Sequence, residues 1–89
     1  MKTQEIRIKG KVQGVYFRAS AKQQAQNLGI RGYVKNEQDG SVLMEVEGDD
    51  DAVNHMVNWC KQGPALARVN EIEIKQEATR NFVSFDIKK

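Results

Sequence analysis

The chain has 89 residues, of which 39% are hydrophobic and 29% are charged, and this predicts one globular domain over residues 1–89 with one modest core. Its apolar stretches are far shorter than the roughly 20 residues that a membrane-spanning helix needs, so no membrane partner is expected. The net charge of +2 is small and evenly spread, which argues against a dedicated nucleic-acid surface.

The residue types also limit the chemistry and the location. Cys60 is the single cysteine and His55 the single histidine, so the sequence predicts neither an internal disulfide nor a metal site. The residues before the first predicted strand contain no apolar segment of the kind found in secretory signals, and a cytoplasmic protein is therefore expected.

The first half of the chain predicts a strand, a helix and two further strands. Apolar and charged residues alternate over residues 6–12, as in a strand with one buried face. Over residues 17–28 an apolar residue recurs at every third or fourth position, which predicts an amphipathic helix that ends at Gly29. Residues 30–36 and 41–47 predict two antiparallel strands joined by a turn that contains an Asp-Gly pair.

The second half predicts a helix, a strand and a short final strand. Residues 49–51 are aspartates that are expected to cap a helix whose apolar face runs over residues 53–60 and which ends at Gly63-Pro64. Residues 71–75 predict a fourth strand, and residues 82–87 predict a short last one. This order predicts a ferredoxin-like βαββαβ fold, an α+β sandwich with an antiparallel sheet and two helices on one face.

The predicted topology brings two distant polar residues together. Right-handed crossovers make the first two strands parallel, with the third strand between them, so both strands end at the same edge of the sheet. Arg18 follows the end of the first strand and Asn36 ends the second. We therefore expect these two side chains to lie close together.

The turn before the first helix has the composition of an anion site. Gly10 and Gly14 flank a short connection whose backbone N–H groups precede a helix, and Arg18 falls in the first turn of that helix. A cation there opposes the helix dipole, and a bound phosphate or sulfate would remove the conflict. Three simpler interpretations stay open: glycines that only permit a tight turn, an arginine paired with a carboxylate, and an asparagine that only ends a strand.

The chemistry of such a site is limited by what it lacks. No nucleophile with an adjacent base is evident, and the aspartates at residues 49–51 are better explained as a helix cap than as metal ligands. A site with an arginine, backbone donors and an amide suits a reaction whose leaving group needs no acid. Acyl phosphates fit, because their leaving group is a carboxylate, whose conjugate acid has a pKa of about 4.

Residues 10–18, G-K-V-Q-G-V-Y-F-R, resemble the signature of the acylphosphatases, and residues 28–36 with 39–42 resemble the second conserved block of that family. The resemblance extends over nearly the whole chain. It implies a ferredoxin-like sandwich that hydrolyses acyl phosphates to a carboxylate and inorganic phosphate without a cofactor or a metal. Two positions depart from the family pattern: Tyr16 stands at a variable position, and Pro64-Ala65 stands where a second proline is common.

The resemblance also implies roles for individual residues. Arg18 would bind the phosphoryl group and Asn36 would position the attacking water. The residues implied to bind phosphate are Gln13, Gly14, Val15, Tyr16, Phe17 and Arg18. The expected partners are a small acyl phosphate and, as a site ligand, inorganic phosphate or sulfate. A monomer is expected because no large apolar stripe is left unpaired.

Two other functions share this predicted fold. RNA-recognition modules have the same topology, and residues 80–85 faintly resemble their longer aromatic motif, although that motif belongs on the third strand of such modules. The same fold and anion site would also suit a phosphate-sensing or carbamoyl-phosphate-handling domain.

Overall fold

Two helices pack on one face of a five-stranded sheet in the computed structural model, which describes residues 1–89. The elements in chain order are β1 Lys2–Lys11, α1 Phe17–Leu28, β2 Arg31–Asn36, β3 Val42–Gly48, α2 Asp50–Gln62, β4 Arg68–Glu77 and β5 Phe85–Lys88. The predicted order of elements is confirmed, while β1 and β4 are longer than the apolar alternation indicated. Neither helix combines the length and the apolar character needed to cross a membrane.

The strands are ordered β4-β1-β3-β2-β5 across the sheet. β3 is antiparallel to both β1 and β2, and β4 is antiparallel to β1, as the ferredoxin-like fold requires. β5 differs, because it pairs with β2 in parallel and makes the sheet mixed. The physical reason is that the segment of residues 78–84 carries the chain from one edge of the sheet to the other and reverses its direction.

The core lies between the sheet and the helices. Alternate residues of β1, β2 and β3 point toward the helices, and each helix turns its apolar stripe toward the sheet, as the periodicity predicts. The fully buried residues on these surfaces are Ile6, Ile8, Val34, Val42, Met44 and Val46 on the strands, Ala21 and Ala25 on α1, and Val53, Met56 and Cys60 on α2. Phe17 and Trp59 join the two helices through an edge-to-face contact with ring centroids 5.3 Å apart.

The start of α2 differs in detail from the expected cap. Asp49 occupies the N-cap position, but its side chain makes no capping hydrogen bond. The favourable charge instead comes from Asp50 and Asp51 in the first turn, next to the positive end of the helix dipole. The carboxylate of Asp50 also lies 3.4 Å from the amino group of Met1.

On the other face of the sheet, a buried carboxylate binds the segment that precedes β5. Glu47 on β3 is fully buried and accepts hydrogen bonds from the hydroxyl of Thr3 at 2.6 Å and from the backbone N–H groups of Arg80 at 2.8 Å, Asn81 at 3.3 Å and Phe82 at 3.0 Å. Burial alone would raise the pKa of Glu47, but these four hydrogen bonds outweigh it, and the pKa is lowered. The carboxylate thus fixes the segment of residues 78–84 across the sheet and places β5 beside β2.

Replacement of this carboxylate, Glu47→Gln, is expected to lower the free energy of unfolding at pH 7 by about 2 to 3 kcal/mol, because charged acceptors make the stronger hydrogen bonds. The folded protein binds the Glu47 proton less tightly than the unfolded chain. Its stabilisation is therefore complete above the usual pKa of 4.5 and is lost as the pH falls through the lower, folded-state value. Urea unfolding between pH 7 and pH 3 should show a smaller acid-induced loss in the variant.

The control for this experiment is Glu71→Gln, which changes an exposed carboxylate of β4. It should leave the pH dependence of unfolding as in the unmodified chain. Equal acid sensitivity of Glu47→Gln and the unmodified chain would contradict the role given to Glu47.

Candidate functional site

The connection between β1 and α1 turns sharply through residues 12–16. Gly14 has φ of 73°, and Tyr16, at the N-cap of α1, also adopts the left-handed conformation, with φ of 64° and ψ of 24°. A left-handed conformation costs a residue other than glycine about 1 kcal/mol or more, and the Tyr16 side chain is 74% exposed, so ring burial offsets little of that cost. The fold therefore maintains a strained backbone at this point.

Gly10 lies in a strand, although its place in the sequence motif predicts a glycine that flanks the turn. It lies within β1, at an irregularity in the pairing with β4, and has φ of 135°. A Cβ atom there would overlap the carbonyl oxygen of Arg68. Gly10 thus permits the close approach of β4, and Gly14 is the glycine of the turn.

The turn leaves its backbone donors free. The N–H groups of residues 13–16 donate to no backbone carbonyl of the chain. The N–H groups in the first turn of α1 have no partner within the helix either, as at any helix N-terminus. Several donors and the positive end of a helix dipole therefore coincide at one point, which is the arrangement that binds anions.

A pocket of about 500 Å³ opens beside these donors. It is lined by Val12, Gly14, Tyr16, Phe17, Arg18, Ala19, Asn36, Ile87 and Lys89. The structure thus brings Arg18 and Asn36 to one pocket, as their positions at the ends of β1 and β2 lead one to expect. No aspartate, glutamate, histidine or cysteine side chain lines it.

Arg18 and Asn36 both have unused hydrogen-bonding capacity. The guanidinium of Arg18 forms no ion pair with any carboxylate. Its one hydrogen bond is long, with 3.4 Å between its Nη1 and the carbonyl oxygen of Lys88. The structure therefore offers no carboxylate partner for a purely structural Arg18. The side-chain amide of Asn36 makes no hydrogen bond within the chain, although the backbone of Asn36 pairs with Val42 in the sheet.

Two of the expected phosphate-binding residues turn their side chains away from the pocket. Val15 is 4% exposed and belongs to the core. The side-chain nitrogen of Gln13 donates to the carbonyl oxygens of Glu37 at 2.8 Å and Ser41 at 2.9 Å. These residues can serve a ligand only through their backbone N–H groups, while Gln13 also ties the turn before α1 to the turn after Asn36.

The turn that follows Asn36 is held by its own polar contacts. The Asp39 carboxylate accepts hydrogen bonds from the hydroxyl of Ser41 at 2.6 Å and from its backbone N–H at 2.9 Å, and these two bonds hold the pKa of Asp39 below its usual range. Arg7 adds an ion pair to Glu37 at 3.6 Å. Sequence reasoning identified this turn but gave it no part in the site, because the partners of Gln13 lie 24 and 28 residues away in the chain.

Cys60 and His55 lie on α2, outside the pocket. Burial raises the pKa of the Cys60 thiol to about 12, so this cysteine stays protonated at neutral pH, and His55 is exposed on α2. β3 contains no aromatic residue, and all 7 of its residues are buried. Phe85 is 3% exposed, and Phe82 packs edge-on against Tyr33 with ring centroids 6.0 Å apart.

The chain is similar in sequence to known acylphosphatases. The family model described as acylphosphatase matches residues 4–87. An acylphosphatase of Thiobacillus denitrificans is 46% identical over 76 residues, which are 85% of this chain and 85% of the relative. An acylphosphatase of Thermococcus kodakarensis is 43% identical over 82 residues, which are 92% of this chain and 90% of the relative.

Solved structures show the same likeness. An acylphosphatase from Bacillus subtilis superposes with a TM-score of 0.97 at 30% identity, covering 100% of both chains. The full-length protein HypF, solved in a phosphate- and nucleotide-bound form, superposes with a TM-score of 0.89 at 26% identity. That match covers 99% of this chain but 12% of HypF, so the likeness is to one part of a larger protein.

Removal of the side-chain amide in Gln13→Ala is expected to loosen the turn after Asn36. The carbonyl oxygens of Glu37 and Ser41, which also accept from backbone N–H groups of that turn, lose one donor each. Hydrogen exchange followed by NMR should show faster exchange at the amides of Glu37 and Gly40, and unfolding should become easier by about 1 to 2 kcal/mol. Unchanged exchange at both amides would contradict this role, and amides in the centre of β1 serve as the internal control.

Proposed function

The chain belongs to the acylphosphatase family and is a hydrolase of acyl phosphates, and from that premise we propose that Arg18, Asn36 and the 13–17 turn carry out the hydrolysis. In this proposal one domain, residues 1–89, acts as a monomer without a metal or a cofactor. The observation that carries the proposal is the convergence of free backbone donors, an arginine without a carboxylate partner and a free amide on one pocket.

The phosphoryl group is held at the start of α1. Its oxygens accept hydrogen bonds from the backbone N–H groups of the turn and the first helical residues, and from the planar guanidinium of Arg18. These donors are fixed by the fold before substrate arrives, so little reorganisation is needed when charge spreads over the equatorial oxygens in the transition state. A bound anion also offsets the unfavourable placement of Arg18 at the positive end of the helix dipole.

The attacking water is positioned by Asn36. Its side-chain carbonyl oxygen accepts a hydrogen bond from the water and aims a lone pair of the water oxygen at phosphorus, as a glutamine does in some GTPases. Gln13 supports this step indirectly, because its two hydrogen bonds hold the turn that follows Asn36 against the phosphate-binding turn.

The reaction needs no further catalytic group. The water oxygen forms a bond to phosphorus while the bond from phosphorus to the acyl oxygen breaks, and its electron pair leaves with the carboxylate. That leaving group needs no proton, since the pKa of its conjugate acid is about 4. The proton of the water passes to a phosphoryl oxygen, which gives a carboxylate and inorganic phosphate. The absence of aspartate, glutamate, histidine and cysteine side chains from the pocket lining is compatible with this scheme.

The first test is Arg18→Ala, assayed with benzoyl phosphate. Loss of the guanidinium should lower kcat/KM by about 10²- to 10³-fold or more, because the charge of the transition state loses its main cationic partner. Arg18→Lys should recover little of this activity, since an ammonium cannot donate two parallel hydrogen bonds to phosphate. Lys22→Ala, on the same helix, is the matched control and should retain activity. Full activity in a folded Arg18→Ala protein, with folding checked by circular dichroism, would overturn the proposal.

The second test is Asn36→Ala, which separates water positioning from phosphate binding. We expect kcat to fall about 10²-fold, while inorganic phosphate remains a competitive inhibitor of similar strength, because the groups that hold phosphate are intact. Asn36→Asp should impair both, since it places a negative charge beside the phosphoryl group. An unchanged kcat in Asn36→Ala would exclude the role given to this amide.

A further inference from the structure

Three carboxylates from three strands converge on the face of the sheet opposite the helices. Glu5 on β1 lies directly opposite Glu45 on β3, and Glu77 on β4 lies opposite Thr3, two residues along β1 from Glu5. One carboxylate oxygen of each glutamate lies within 4.8 Å of those of the other two. We call Glu5, Glu45 and Glu77 the carboxylate cluster; it shares no residue with the pocket beside Arg18.

The negative charge of the carboxylate cluster is only partly balanced. Like charges directly opposite each other on neighbouring strands destabilise a sheet. Arg80 donates to Oε1 of Glu45 at 3.1 Å, but Glu5 and Glu77 have no ion pair. Lys75 lies opposite Glu5 in the register with β4 and makes no ion pair with it. Two of the three carboxylates therefore have no cationic partner.

A buried oxygen atom in the cluster has no hydrogen-bond partner at all. The Glu45 side chain is 2% exposed, and its Oε2 is buried and forms no hydrogen bond, although the hydroxyl of Tyr33, opposite Glu45 on β2, lies close to this carboxylate. Because Arg80 occupies Oε1, Oε2 is the atom left to bind a ligand. A buried carboxylate oxygen without a hydrogen-bond partner is unfavourable. A cation or a proton bound to this oxygen would remove that cost.

We propose that the carboxylate cluster binds a divalent cation with the coordination chemistry of Ca²⁺. The donors are all carboxylate oxygens, which hard cations prefer, and the cluster contains no nitrogen or sulfur ligand. The oxygens lie within 4.8 Å of one another, which is close enough for all three to contact one ion at Ca–O distances of about 2.4 Å. Glu5 and Glu77 are partly exposed, so water completes the coordination sphere.

The cation would stabilise the sheet and take no part in hydrolysis. It would join β1, β3 and β4 and remove the repulsion between Glu5 and Glu45. Three carboxylates, two of them partly exposed to water, make a site of low affinity, with a Kd of about 10⁻⁴ to 10⁻³ M. Mg²⁺ should bind more weakly, because it demands a tighter octahedral geometry and gives up water reluctantly.

The experiment compares thermal unfolding of the chelator-treated protein at pH 7.5 with added CaCl₂, with MgCl₂, and with NaCl matched in ionic strength. Calcium chloride at ten times its Kd should raise the melting temperature by about 6 to 11 °C, magnesium should have a smaller effect, and sodium little. Isothermal titration calorimetry with CaCl₂ should give one binding site. Hydrolysis of benzoyl phosphate at 25 °C should be the same with Ca²⁺ and with chelator, which keeps this test separate from that of the proposed activity.

The variants decide whether the carboxylate cluster is the site. Glu5→Gln combined with Glu77→Gln keeps the shape of the side chains and removes the repulsion, so the protein should fold, bind no Ca²⁺ and lose the calcium-dependent rise in melting temperature. Glu71→Gln, an exposed carboxylate elsewhere on β4, is the matched control and should keep it. No calorimetric binding, or a melting temperature that responds equally to calcium and to ionic-strength-matched sodium, would overturn the proposal. So would a calcium response that survives in the double variant.

Discussion

β3 pairs with β1 on one side and with β2 on the other, and the candidate site depends on this arrangement. It makes β1 and β2 parallel, so their C-terminal ends lie side by side at one edge of the sheet. α1, which carries Arg18, follows one of these ends, and Asn36 is the last residue of the other. The side-chain amide of Gln13 then joins the two connections through its hydrogen bonds to Glu37 and Ser41.

Three features at the start of α1 are unfavourable for a protein without a ligand. The N–H groups of the turn have no acceptor in the backbone, Tyr16 adopts a left-handed conformation, and Arg18 stands where the helix dipole is positive. One bound phosphoryl group would satisfy the donors and balance both the dipole and the guanidinium. Strain at functional sites is maintained by the rest of the fold, and here the packed core of Phe17, Val15 and their neighbours supplies that support.

The sequence predicts well what depends on local periodicity. The helical stripe beginning at Phe17, the Asp-Gly turn and the alternation in β1 are each set by neighbouring residues, and the order of elements then determines which strand ends meet. Contacts between distant residues could not be predicted in this way. The backbone N–H groups of residues 80–82 donate to the Glu47 carboxylate, which lies 33 to 35 positions away in the chain. These hydrogen bonds fix the segment that leads into β5 and so place β5 parallel to β2. Nothing in the local pattern around Glu47 distinguishes it from Glu45, the other acidic residue of β3.

The proposed hydrolysis requires that the turn before α1, with Arg18 and Asn36, holds the phosphoryl group. Titration of inorganic phosphate into isotopically labelled protein, followed by NMR, tests this claim most directly. It should shift the backbone amide signals of residues 14–19 and the side-chain amide signal of Asn36, and these shifts should disappear in Arg18→Ala. If phosphate inhibits hydrolysis but leaves these signals unmoved, or shifts another part of the chain instead, the site assigned to this turn is wrong.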